Sequence, residues 1–251
     1  MKKEIVDETE EGLPKIDLPI IELKIQSTGE LVKFRPFRVK EEKLLLIAAE
    51  SKDEKEIVTT AIQIVNNCML DSKINVESLP YFDIDYLLIA LRAKSVSESI
   101  SVKFTCNNTK ENEKCGNVFD STIDISNCEV IKNESIPEKY DLGNGIIITM
   151  KYPTYRLMKT LSDSDGALET KIKIMASCID RIQNKDKIYT TKDYSHSEFK
   201  EFIENLSEGQ FKKLEGFIDN LPYFAVKSRH KCNKCEFEHN IEYTDFESFF
   251  Y

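Results

Sequence analysis

The strongest constraint on this chain is a pair of cysteines three positions apart at the tip of a strand pattern. Phe224 and Val226 lead into Cys232-Asn233-Lys234-Cys235, and Phe237 to Tyr243 leads out. Apolar alternation on both sides of a polar tip predicts a β-hairpin. A hairpin tip is where a zinc knuckle presents two thiolates, half of a tetrahedral structural site. A candidate for the other half lies earlier. Ile100, Val102 and Phe104 alternate with Ser101 and Lys103 up to Cys106, the polar loop Asn107 to Lys114 follows, and Val118 to Ile125 returns after Cys115. If these hairpins, at about 98–126 and 223–243, pack side by side, Cys106, Cys115, Cys232 and Cys235 form one closed site. It would resemble a split zinc ribbon with a structural Zn2+ as cofactor.

Three features surround that reading. The first Cys loop is wider than a CxxC, which weakens the case for a shared ion. Lys114, Arg229, Lys231 and Lys234 supply positive charge that favours thiolates. His230 and His239 flank the second pair and are alternative ligands. The competing readings are surface hairpins with free thiols, or a redox CxxC. The latter normally opens a helix in a βαβ context, and none is legible here.

Composition narrows the class. The chain has 44 acids against 35 bases, a net charge of −9, so nucleic acid held through its phosphates is not expected as the main partner. The same charge disfavours anionic lipid, and no apolar run reaches the roughly 20 residues that span a bilayer. The opening Met1-Lys2-Lys3-Glu4-Ile5-Val6-Asp7-Glu8 is too acidic for a signal peptide, so a reducing compartment is expected. Seven cysteines, an odd number, fit no disulfide framework there. Cys68, Cys128 and Cys178 stand apart from these pairs, and Cys68 and Cys178 fall on or beside apolar stripes, where a Cys reads as a small core residue.

The rest of the chain predicts an α+β fold of amphipathic helices and several β-hairpins. Residues 1–12 read as a flexible acidic tail and 13–251 as a single body. A hairpin is expected over Ile16 to Phe34, turning at Ser27-Thr28-Gly29. Helices follow over Lys40 to Glu50, after a capping box at Ser51-Lys52-Asp53-Glu54, and from Ser78-Leu79-Pro80 onward. Their stripes are Val58, Ile62, Val65 and Met69, then Ile84, Leu87, Leu88 and Leu91. Asp83 and Asp85 sit where a helix dipole favours acids. Gly143-Asn144-Gly145 reads as a turn before a strand from Ile146 to Tyr152. Leu168, Ile172, Met175, Ile179 and Ile182 make the clearest helical stripe. Ser195-His196-Ser197-Glu198 and Ser207-Glu208-Gly209-Gln210 are two more capping boxes. Leu79-Pro80-Tyr81-Phe82 recurs as Leu221-Pro222-Tyr223-Phe224, a weak echo of a duplication.

Catalytic signals are scarce. There is no Walker loop, no G-x-S-x-G and no H-E-x-x-H. Asp163-Ser164-Asp165-Gly166 lacks the later ligands of a calcium loop. The aromatic residues Tyr243, Phe246, Phe249, Phe250 and Tyr251 crowd the end and read either as a cap on the core or as a docking tail.

Several runs carry a family resemblance: Phe34-Arg35-Pro36-Phe37-Arg38-Val39-Lys40-Glu41-Glu42-Lys43-Leu44-Leu45-Leu46, Asn67-Cys68, Phe82-Asp83-Ile84-Asp85-Tyr86-Leu87 and Leu91-Arg92-Ala93-Lys94-Ser95. With the Cys pairs, the chain resembles the baseplate hub and hub-assembly proteins of T-even-like contractile-tailed bacteriophages, most firmly over residues 34–126. The resemblance implies a late viral protein in the host cytoplasm that binds other baseplate hub proteins, as a retained virion subunit or a transient assembly factor. It implies no catalytic residue, and a small oligomer is compatible with it. The alternative from another class is a zinc-stabilised enzyme using Asp83 and Asp85 or a reactive Cys.

Overall fold

The computed structural model describes residues 16–51, 53–71, 73–110, 113–158 and 166–249. The tail expected over 1–12, the acids Asp163 to Asp165, Lys52, Phe250 and Tyr251 lie outside them.

The chain opens with the expected hairpin, β1 (Ile21–Lys24) and β2 (Leu31–Phe34), paired from Ile21↔Phe34 to Lys24↔Leu31. Gly29 closes the turn at φ +79°, backbone that a Cβ would strain. Two helices follow, α1 (Val39–Ser51) and α2 (Glu54–Cys68). The cap between them differs from the expectation. Asp53, not Ser51, accepts from the free backbone N–H groups of Lys55 and Glu56 (2.9 and 3.4 Å), while the Ser51 hydroxyl donates back to the Ala48 carbonyl. A carboxylate next to the helix outcompetes a hydroxyl two residues further away.

A 3-10 turn at Val76–Ser78 leads into α3 (Tyr81–Ser95). The expected stripe Ile84, Leu87, Leu88 and Leu91 is buried, but so are Phe82, Ile89, Ala90 and Ala93. Burial runs round the helix because α3 is the axis of the first core: α2, β1, β7, β12 and the C-terminal turn all pack on it.

Next come β3 (Ser99–Thr105), the short β4 (Thr109–Lys110) and β5 (Glu113–Lys114), β6 (Val118–Asp124) and β7 (Glu129–Ile131). The chain then builds a second lobe from β8 (Lys139–Gly143), β9 (Ile146–Met150), α4 (Tyr155–Met158), α5 (Ala167–Cys178), β10 (Ile179–Asn184), β11 (Lys187–Thr190), α6 (His196–Glu204) and α7 (Glu208–Ile218). Its four strands form one antiparallel sheet in the order β11-β10-β9-β8. Gly143, Asn144 and Gly145 all have positive φ and form the β8–β9 turn, as expected.

One expectation fails here. The stripe Leu168, Ile172, Met175, Ile179 and Ile182 is not a single helix: α5 stops at Cys178, Ile179 and Ile182 belong to β10, and Leu168 is exposed. The helical period continues by coincidence across the junction, because Ile179 and Ile182 reach the same core from the sheet side. Both later capping boxes are complete, with Ser195 and Ser207 accepting from Glu198 and Gln210 backbone N–H groups and receiving their side chains in return.

Finally β12 (Tyr223–Lys231) returns to the first lobe, pairing with β7 on one side and β13 (Glu238–Tyr243) on the other. Because Glu129–Ile131 pairs with Tyr223–Ala225, the chain between them is pinched off at its base. The second core, from Ile136 to Leu221, lies wholly inside that excursion. The repeated Leu-Pro-Tyr-Phe starts a helix in its first copy and a strand in its second, and the two copies meet: the Tyr81 hydroxyl donates to the Pro222 carbonyl at 2.6 Å.

Candidate metal centre

The hairpins β3–β6 and β12–β13 lie against one another, and a third buried cluster forms at their tips: Cys106, Phe119 and Cys232, flanked by Phe104, Cys115 and Cys235. The sulfurs of Cys106, Cys115, Cys232 and Cys235 lie within 4.8 Å of one another. Cys106 to Cys235 is 3.6 Å and Cys115 to Cys232 is 3.9 Å. Four thiolates around a tetrahedral ion at the usual Zn–S length would be about 3.8 Å apart, and a disulfide would need about 2.05 Å. The four cysteines are free, and their donor set fits a metal ion.

The two tips are built alike. In the second, Cys232 N–H donates to the Phe237 carbonyl (2.9 Å) and Glu236 N–H donates to Cys232 (3.0 Å), with Glu236 at φ +59°. In the first, Cys106 N–H donates to Asn117 (2.8 Å) and Gly116 N–H donates to Cys106 (3.1 Å), with Gly116 at φ +57°. In each, the residue after the second Cys turns left-handed so that both sulfurs point to the same side. The wide first loop therefore does not spoil the geometry. Its extra residues fold into the small β4–β5 hairpin (Thr109↔Lys114), and Cys115 N–H closes it by donating to the Asn108 carbonyl at 2.8 Å.

The surrounding groups orient the sulfurs. Asn117 and Asn108 amides face Cys232 and Cys235 Sγ at 3.5 and 3.7 Å, and Lys234 N–H donates to Cys232 Sγ at 3.5 Å. Although burial opposes it, donation from the Cys235 and Lys234 backbone and the Asn117 amide brings the Cys232 thiol down to about 6. Burial pushes Cys106 up to about 12, and the three neighbouring thiols add to the rise. An ion that takes all four must displace the remaining protons.

The histidines separate into two roles. His239 Nε2 sits 3.2 Å from Cys106 Sγ, a position outside the sulfur set from which an N–H can support a thiolate. His230 is fully buried, flat against Phe104 at 4.5 Å, with Nδ1 2.7 Å from Ser121 Oγ and Nε2 3.0 Å from the Tyr243 hydroxyl. Both its nitrogens are engaged away from the sulfurs. Asn108, Asn117 and Ser121 carry no sequence signal of these roles, and Tyr243 reads in the sequence only as a strand end and a C-terminal aromatic. Gly116, directly after Cys115, is a residue whose left-handed backbone could have marked the first tip as a knuckle.

The other candidate residues lie elsewhere. Asp83 and Asp85 are buried tethers, not a carboxylate pair at a cleft. Asp83 Oδ1 accepts from Gln26 N–H (2.7 Å) and Ser27 N–H (3.1 Å), and Asp85 Oδ1 accepts from the Tyr155 hydroxyl. Burial pushes the thiols of Cys68, Cys128 and Cys178 up, to about 11, 12 and 12, which removes the thiolate character a nucleophile needs. At the end of the chain, Phe246 and Phe249 are buried, and Phe249 packs edge-on to Phe224 and Tyr243. Of the two readings for the aromatic end, these residues take the core cap. No described helix is long and apolar enough to cross a membrane.

Residues 18–251 match the model of a family described as T4 bacteriophage base plate protein. No curated protein and no solved structure matches the chain.

Proposed function

The chain belongs to the T4 bacteriophage base plate protein family, and from that premise we propose that it is a baseplate hub component or hub-assembly factor. It acts by binding other hub proteins, in the host cytoplasm during tail assembly. The carrying observation is the family match, which extends over nearly the whole chain. A non-catalytic role agrees with the burial of Asp83 and Asp85 and with the raised thiols of Cys68, Cys128 and Cys178.

In this reading Cys106, Cys115, Cys232 and Cys235 hold one structural Zn2+. Four sulfurs close a tetrahedral site and leave no open position for a substrate. The ion would cross-link the tips of the two hairpins, where the buried apolar cluster is small. The two cores work as one body, supported by the Tyr81 to Pro222 bond, the Tyr155 to Asp85 bond and the edge-on packing of Phe82 on Tyr152 at 5.2 Å.

Quantitative mass spectrometry of purified virions, beside lysates stalled in tail assembly, tests the role. Stoichiometric presence in virions identifies a retained subunit. Presence in stalled lysates alone identifies an assembly factor. Absence from both overturns the proposal.

A further inference from the structure

The second lobe carries a hollow of about 680 Å³ whose charge runs against that of the whole protein. Lys151, Arg156, Lys173 and Lys200 line it, and among the described residues no carboxylate does, in a chain of net charge −9. The four cations come from different places, the end of β9, α4, α5 and α6, so the fold gathers them. Lys200 and Lys173 share the carboxylate of Glu169 at 2.7 and 3.8 Å. Lys151 and Arg156 have no ion-pair partner within 4.0 Å among the described residues. They also line a neighbouring cleft, together with Glu77, Glu138, Asp180 and Arg181.

The interior of the hollow is not polar throughout. Leu157 and the buried Phe199 contribute an apolar floor between the cations. A cationic rim over an apolar floor suits a ligand with carboxylates spaced around an apolar side chain. A lone inorganic anion would leave the floor uncovered, and its charge would reach only part of a rim drawn from four elements. The size lies in the range of pockets that enclose a drug-sized group or a few residues of peptide.

We propose that this hollow docks an acidic segment of a partner protein, one that carries an aromatic or aliphatic anchor among its Asp and Glu residues. The proposal rests on the protein-binding reading given above and names the chemistry of one partner surface. The carboxylates pair with Lys151 and Arg156, and the anchor seats on Leu157 and Phe199. Long-range attraction to such a rim mainly raises the rate of encounter and its salt dependence.

The test uses the purified full chain and a fluorescent peptide alternating Glu with Phe, compared with its Gln counterpart, with inorganic phosphate as competitor. The expected result is saturable binding of the Glu peptide that weakens with salt, and about tenfold weaker binding to the K151E/R156E double variant, whose circular dichroism is unchanged. Equal affinity for the Gln peptide, or no loss in the double variant, overturns the proposal. So does full competition by phosphate at the concentration where phosphate alone binds, which identifies a small-anion site. A conservative K151R/R156K variant that binds as the wild type does shows that charge, not packing, is being read. Introducing K151E/R156E into the phage separates the two claims. Normal incorporation with the double variant overturns the docking site and leaves the baseplate role standing, whereas wild-type chain absent from virions and stalled lysates alike removes the role itself.

Discussion

The hairpin tips and the second lobe solve the same problem with different means. The lobe buries Tyr140, Leu142, Ile148, Met150, Met175, Ile179, Phe199, Leu214 and Phe217 between one sheet and its helices. At the tips the buried apolar residues are Cys106, Phe119 and Cys232, with His230 and His239 buried beside them, and β3, which leads there, alternates between half-buried and exposed residues. Burial of apolar area at about 25 cal/mol per Å² holds the first kind of structure together. It contributes less at the second, where four sulfurs sit beside a small apolar cluster. In the function proposed above, a cross-linking ion between the two hairpin tips would do what a larger apolar cluster would otherwise do.

On that proposal, withdrawing the ion should distinguish the two regions. Cys235→Ala, or zinc withdrawal by a strong chelator, is expected to cost several kcal/mol, set against about 10–16 kcal/mol of apparent zinc binding in small Cys sites. Hydrogen exchange should show β3, β6 and β13 losing protection while β8 to β10 keep theirs. Uniform loss across both regions would mean that the lobe depends on the tips. Cys178→Ala, buried in the lobe, should cost only about 1 kcal/mol by comparison; equal effects from the two variants would contradict a metal role for Cys235.

The first core offers a second contrast. Phe249→Ala should cost about 3 kcal/mol, because it empties a site between Phe224 and Tyr243. Thermal melting of the variant measures this, and a near-zero shift would return the C-terminal aromatics to the docking-tail reading.

Two buried carboxylates next set opposite pH dependences. Glu41 is desolvated, yet Arg35 at 2.8 Å and the Arg38 N–H at 2.8 Å hold its carboxyl below the ordinary value. Its contribution is present above the unfolded value of 4.5 and is lost as pH falls through the lower folded one. Burial pushes Asp83 up despite the Ser27 and Gln26 N–H donors, so its contribution is full below 3.8 and is lost as pH rises through the folded value. Glu41→Gln should make the acid limb of stability shallower, and Asp83→Asn should flatten the decline on the rising side. Denaturant titrations at several pH values distinguish them. The smallest effects are expected at the lobe's helix caps, where Ser195→Ala and Ser207→Ala should each cost about 1 kcal/mol.

These contrasts also explain what could be read from the residues alone. Cys232 and Cys235 were legible because their spacing is itself the knuckle. The first knuckle was half legible, since the β4–β5 hairpin hides a similar tip inside a long polar loop. The Ser195 and Ser207 boxes were local chemistry and came out as expected. The Ser51 box did not, because Asp53 offered a better acceptor one residue before the helix. Asp83 and Asp85 looked like helix-start acids. Their partners Gln26, Ser27 and Tyr155 are 56 or more positions away, beyond any local pattern. The helix-to-strand change at Cys178 was invisible for a related reason: both elements face one core, so the apolar spacing continued across the join.

The most direct test of the central claim is metal content together with thiol reactivity, measured on protein purified without added zinc. The expected result is about one zinc per chain, with Cys106, Cys115, Cys232 and Cys235 becoming reactive to a thiol reagent only when a chelator is added. No bound metal, with those four thiols reacting equally with and without the chelator, would contradict a metal centre at the paired hairpins.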